Sequence, residues 1–130
     1  MSYLLDTDSV SFALRGQGRV AERLLEKGRS EIRISSITVA ELRFGASAKQ
    51  SKKLHALIDD FLADVEAMPF DVAAATEYGP IAAQLAAAGL PIGMADAMLA
   101  GHAKSLGFVM VTRNVKHFRR VRGLVVENWY

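Results

Sequence analysis

The chain has 130 residues, 51% hydrophobic and 23% charged, the balance of a single globular domain spanning 1–130 with enough length to bury a real core. It contains no cysteine, which excludes disulfides, cysteine–zinc sites and thiol nucleophiles and fits a cytoplasmic location. No apolar run approaches the roughly 18 residues of a membrane span, the Met1-Ser2-Tyr3 start lacks the basic region of a signal peptide, and the net charge is only +2.

In chain order, Tyr3 to Asp6 reads as a buried strand that ends on a charge. Thr7 or Asp8 is placed to cap a following helix, because their oxygens can accept from free backbone N–H groups. A short helix covers Val20 to Glu26, and Ile32 to Ser35 reads as a second strand. Ser36 or Thr38 opens a helix running through Ala46, with Thr38 and Glu41 at capping-box spacing. Ser51 to Glu66 is amphipathic, with Leu54, Leu57, Ile58, Phe61, Leu62 and Val65 on one face. Met68 to Phe70 suggests a short strand, and Val72 to Ala88 an alanine-rich helix stopped by Gly89. After the Pro91-Ile92-Gly93 turn, Met94 to Leu106 forms another helix, closed by Gly107. Phe108 to Thr112 is rich in β-formers, a turn or short helix leads to Phe118, and Leu124 to Glu127 is the last strand.

Strands that alternate with helices pair in parallel through crossovers, and a parallel sheet needs helices on both faces. The expected architecture is α/β, a three-layer α/β/α sandwich with a central parallel sheet. Ligands in such sheets bind beyond the carboxyl ends of the strands, near the switch in strand order. Asp6 and Thr112, each following an apolar strand, are placed there.

Three acids stand out by context. Asp6 terminates a strand and serves either as a helix cap or as part of a site; Asp8 competes for the capping role. Glu41 lies between Ala40 and Leu42, as a capping-box acid, a surface partner of Arg43, or a site residue. Asp96 is the only charge between Glu77 and Lys104, and a carboxylate in so apolar a stretch must be exposed, paired, bound to metal, or set against a helix dipole. Together they suggest a site for a hard cation, Mg²⁺ or Mn²⁺, of the kind that activates water for phosphodiester cleavage. Thr112 and Asn114 could hold a metal-bound water or a phosphate oxygen, or simply mark a turn. From Ala97 to Val126 there are six cations, Lys104, Arg113, Lys116, Arg119, Arg120 and Arg122, and no acid. That one-sided run suits a polyanion, with Arg113, Lys116, Arg119 and Arg120 nearest a phosphate backbone, or else a solvated basic face. His102, six residues beyond Asp96, points roughly to the other side of its helix and reads as a half-buried, hydrogen-bonded histidine. His55 and His117 lack metal-ligand spacing, and Trp129 and Tyr130 are expected to pack over the edge of the core.

These motifs resemble the PIN-domain family, specifically VapC toxins of bacterial toxin–antitoxin pairs, nearly end to end. The resemblance rests on Tyr3-Leu4-Leu5-Asp6-Thr7-Asp8, on Ile34 through Ala46 around Glu41, on Pro91 through Ala103 around Asp96, and on Val111-Thr112-Arg113-Asn114 with Phe118, Gly123-Leu124 and Glu127-Asn128-Trp129. It implies Asp6, Glu41 and Asp96 as acidic metal ligands, with Thr112 and Asn114 completing the site. Relatives often carry a fourth acid where Asn114 stands, and asparagine where Asp8 stands. It further implies an endoribonuclease toxin acting on RNA, with tRNA, including the initiator tRNA anticodon region, as the leading substrate. A homodimer, a VapB-like antitoxin, and operator DNA reached only through the antitoxin are implied as partners. Two other readings share the residues: a weakly active or non-catalytic antitoxin-binding partner in an autoregulatory complex, whose acids would attract antitoxin cations, and a DNA nuclease using the same metal site.

Overall fold

The computed structural model describes all 130 residues. Five strands, β1 (Tyr3–Leu5), β2 (Ile32–Ser35), β3 (Glu66–Met68), β4 (Val109–Val111) and β5 (Val126–Glu127), form one sheet in the order β3-β2-β1-β4-β5. Every pairing is parallel. Seven helices join them: α1 (Thr7–Arg15), α2 (Val20–Lys27), α3 (Ser36–Ala48), α4 (Lys52–Asp64), α5 (Val72–Ala87), α6 (Met94–Leu106) and α7 (Val115–Phe118), with a 3₁₀ turn at Arg29–Glu31.

The period-two alternation of strand side chains divides the core. Tyr3, Leu5, Ile32, Ile34, Val109 and Val111 face one layer, where Val10, Leu42 and Ile58 from α1, α3 and α4 meet them. Leu4 and Met110 face the other, against Ile81 and Leu85 of α5, Leu99, Ala100 and Ala103 of α6, and Phe118. The expected three-layer sandwich is therefore present. Trp129 closes the first core by packing at a tilt against Tyr3, with ring centroids 4.9 Å apart, and Tyr130 packs edge-on against Phe12 at 4.7 Å. No helix is long and apolar enough to cross a membrane.

β1 is central. The chain leaves it outward through β2 to β3, then returns to build β4 and β5 on its other side. The strand order thus reverses between β1 and β4, and their carboxyl ends open on one crevice. α5 and α6 pack unusually close on the second face. A Cβ on Gly101 would stand 2.9 Å from the backbone nitrogen and 3.0 Å from the Cα of Tyr78, so only glycine permits this approach.

Several boundaries differ from the sequence expectation. β1 stops at Leu5, and Asp6 is itself the cap of α1 in place of Thr7 or Asp8; its carboxylate accepts from the Ser9 N–H at 2.8 Å. Ser35 caps α3 instead of Ser36 or Thr38, and the Thr38–Glu41 capping box is not formed, because the helix starts earlier and Thr38 is buried within it. α4 ends at Asp64, and β3 occupies Glu66–Met68 instead of Met68–Phe70. That register sets Glu66 beside Arg33, an ion pair at 2.8 Å, and covers the edge of β2. β4 and β5 are shorter than their apolar runs, since pairing stops where a neighbouring strand ends.

Candidate active site

Asp6 lies at the carboxyl end of β1, almost entirely buried, with its backbone N–H bonded to Val111 O at 3.0 Å. Burial pushes its carboxyl above the usual range, while hydrogen bonds from the Thr112 hydroxyl and from Ser9 partly offset this. Thr112, fully buried at the end of β4, accepts the Asn114 N–H at 2.9 Å on the same oxygen. The switch in strand order thereby joins residues more than a hundred positions apart.

Glu41 sits one helical turn beyond Thr38 on α3, exposed, and accepts a hydrogen bond from Thr7. This contact across α1 and α3 replaces both the capping box and the Arg43 pairing considered from sequence. Arg43 bonds to Asp59 and to the His55 ring instead. Asp96 is half-buried in the first turn of α6, beyond the Gly93 cap. Its carboxyl is pushed up to about 6, first by burial and then by the charges of Asp6, Glu41 and Asp8. That response places the three expected acids, with Asp8, in one electrostatic neighbourhood.

They do not converge on a single point. No three Asp, Glu or His side chains close on a common metal-holding position. Asp6 accepts from Ser9 and Thr112, and Glu41 accepts from Thr7. The donor set nevertheless fits a hard divalent cation. It consists of carboxylate and hydroxyl oxygens only, and the mutual repulsion felt at Asp96 is what such a cation would relieve.

Asn114 begins α7, and its side-chain amide meets the His117 ring nitrogen at 2.7 Å. Arg113 is exposed, with its guanidinium 3.8 Å above the Tyr130 ring and 5.6 Å from that of Phe12. Lys116 and Arg119 are exposed, Arg120 is half-buried, and none of the four cations forms an ion pair. His102 is fully buried instead of half-buried, bonded to Ser35 Oγ at 2.9 Å and set edge-on to Phe70. It supports the start of α3 and takes no part in the acidic cluster. The sequence reading overlooked Thr7 as the partner of Glu41, although it directly follows Asp6. It also overlooked Arg15 and Lys49, which have no local motif and come to line one groove with Glu41 only through the packing of α1 on α3.

A five-stranded parallel sheet covered on both faces by helices, with Asp6 and Thr112 joined where its strand order reverses, defines an α/β/α sandwich. The sequence profile of the PIN domain matches residues 3–124, and the chain belongs to the PIN-domain family, in its VapC branch. It is 36% identical to the tRNA(fMet)-specific endonuclease VapC of Shigella flexneri over 130 residues, 99% of this chain and 98% of the relative. Among solved structures, it resembles the DNA-bound VapBC complex of Salmonella typhimurium (TM-score 0.90, 36% identity, 100% of this chain and 99% of that one). It also resembles VapBC2 of Rickettsia felis bound to a fragment of its promoter (TM-score 0.88, 34% identity, 100% of both chains).

Proposed function

We propose that the protein is a Mg²⁺- or Mn²⁺-dependent endoribonuclease, the toxin of a toxin–antitoxin pair, and that tRNA, initiator tRNA foremost, is its substrate. The observation that carries this reading is the shared neighbourhood of Asp6, Glu41 and Asp96 at the strand-order switch. Full-length similarity to an endonuclease specific for tRNA(fMet) supports the substrate. The DNA-bound VapBC complexes among its structural relatives support a VapB-like antitoxin as partner and operator DNA as a target of the pair; the proposed assembly of the toxin is a homodimer, with DNA reached through the antitoxin.

Asp6, Glu41 and Asp96 would hold the cation, which when bound supplies a Lewis acid for the phosphate and lowers the pKa of an attacking water. The chain's own groups do the positioning. Thr112 holds the Asp6 carboxylate from β4, and Thr7 fixes Glu41 from α1. Burial around Asp6 excludes water and strengthens every charge interaction there. Arg113, Lys116, Arg119 and Arg120 attract the phosphate backbone from the side of β4 and α7.

The test is cleavage of purified tRNA with and without added Mg²⁺ or Mn²⁺, followed by sequencing of the product ends. Cuts confined to one tRNA region, lost with EDTA and lost in Asp6→Asn, are the expected result. EDTA-resistant cleavage, or full activity in Asp6→Asn, would overturn the assignment.

A further inference from the structure

Beside the acidic cluster a groove of about 170 Å³ runs between α1 and α3, with Thr7 and Glu41 at one end and Arg15 and Lys49 at the other. Neither cation has an acidic partner. Arg15 bonds only through Nε, to Ser11 O at 3.3 Å, which leaves its terminal nitrogens free. Two unpaired cations on one small concavity repel each other, an arrangement that favours an anion between them.

The other side of Arg15 faces aromatic rings. Its guanidinium stands 5.6 Å from the Phe12 centroid, Phe12 meets Tyr130 at 4.7 Å, and Tyr130 carries Arg113 at 3.8 Å. Gly18 lets Tyr130 lie there, since a Cβ at that position would come within 2.7 Å of its ring. Tyr130 keeps 41% of its surface exposed. Two cations thus bracket a pair of rings, of which Phe12 is partly buried and Tyr130 accessible, a surface on which phosphates can take the charges and a base can stack against Tyr130. An acidic peptide would use the cations but has no need of the rings.

We infer that the Arg15–Lys49 groove is a phosphate subsite for single-stranded RNA flanking the bond to be cut, continued by Phe12, Tyr130 and Arg113 as a stacking path along α1. The inference rests on the ribonuclease reading for its substrate, but assigns residues outside the acidic site. Cations at one end of the groove and Glu41 at the other set this subsite apart from the acidic site.

The test uses the full chain carrying Asp96→Asn, so that RNA is held uncut, and a fluorescent single-stranded RNA of roughly ten nucleotides, within the site sizes of such surfaces. Adding Arg15→Ala with Lys49→Ala should weaken binding about tenfold and reduce the slope of log affinity against log salt by about 0.7, the share of one single-strand phosphate. Tyr130→Leu should weaken binding about fivefold or more with the slope unchanged, as lost stacking requires. Arg23→Ala, on α2 outside the groove and ion-paired with Glu26, should change neither. In the otherwise native enzyme, the double variant should raise KM for the same RNA with little change in kcat. Unchanged affinity and slope in a folded double variant would overturn the inference. So would loss of polyglutamate binding with RNA binding intact, which would assign the groove to an acidic protein partner. A native chain that binds RNA through this groove yet never cuts it would refute the ribonuclease reading and leave the subsite standing.

Discussion

Asp96→Asn is expected to reduce RNA cleavage on the order of 10³-fold, the scale set by losing one preorganised electrostatic group, while making the protein assayed in EDTA more stable. The second effect follows from the carboxyl being pushed from 3.8 to about 6 in the folded chain by burial and by its acidic neighbours. A group whose folded pKa is raised destabilises the native state wherever it must ionise. Above pH 6 both states are ionised and the full penalty applies. As the pH falls through 6, the native state takes up the proton first and the penalty shrinks, until below about 3.8 it is gone. A shift of that size corresponds to at most about 3 kcal/mol, and because Asp96 is half-buried, solvent screening cuts this to about 1–2 kcal/mol. Asparagine removes the charge at every pH. Its advantage in thermal unfolding should therefore be a few degrees at pH 7–8 and vanish toward pH 4. A variant no more stable than the native chain at pH 8, or an advantage larger at pH 4 than at pH 8, would show that burial and the neighbouring acids do not penalise the Asp96 charge. Saturating Mg²⁺ should reverse the order by stabilising only the native chain, since a ligand that binds the folded state raises its stability.

A single methyl group on α6 should have the largest effect on stability. Gly101→Ala is expected to destabilise by about 2 kcal/mol, within the range for overpacking a tight contact. The atoms it would meet are backbone, Tyr78 N and Cα and the Ala74 carbonyl at 3.2 Å, so no side chain can swing aside and α5 must shift as a unit. Gly45→Ala in α3 is the matched control. It has open space where the Cβ would go and should gain about 0.5–1 kcal/mol from helix propensity alone. The two variants are chemically identical and should move the melting temperature in opposite directions. Movement in the same direction would refute the close approach of α5 and α6. Because α6 also carries Asp96, Gly101→Ala should weaken Mg²⁺-dependent stabilisation beyond its effect on the metal-free fold.

Much of this molecule was legible before folding was considered. Residue types repeat at strand and helix periods, so the order of elements, the parallel sheet and its two covering layers follow from Tyr3-Leu4-Leu5, Ile32-Arg33-Ile34 and Val109-Met110-Val111 with the helices between them. Gly107 announced the left-handed end of α6 for the same local reason. Capping was less legible. Asp6, Thr7 and Asp8 are all competent caps, and the outcome depended on where β1 lost its partner, which is a property of β4. The start of α3 was settled in the same way, by Ser35 at the end of its pairing with β3.

The chemical character of the acids, and the motif context around each, were written in the chain itself, because side-chain identity and near-neighbour spacing are local. Their relations were not. That Thr112 would support Asp6 and that Asp96 would feel three other carboxylates required the strand order to reverse between β1 and β4, and that Thr7 would take Glu41 required α1 to pack on α3. The same holds for Arg15 and Lys49, ordinary surface cations in sequence that share a groove only once α1 lies against α3. Periodicity records which face of an element is buried, but contact between distant elements is selected by packing the whole core, and no window of sequence contains that information.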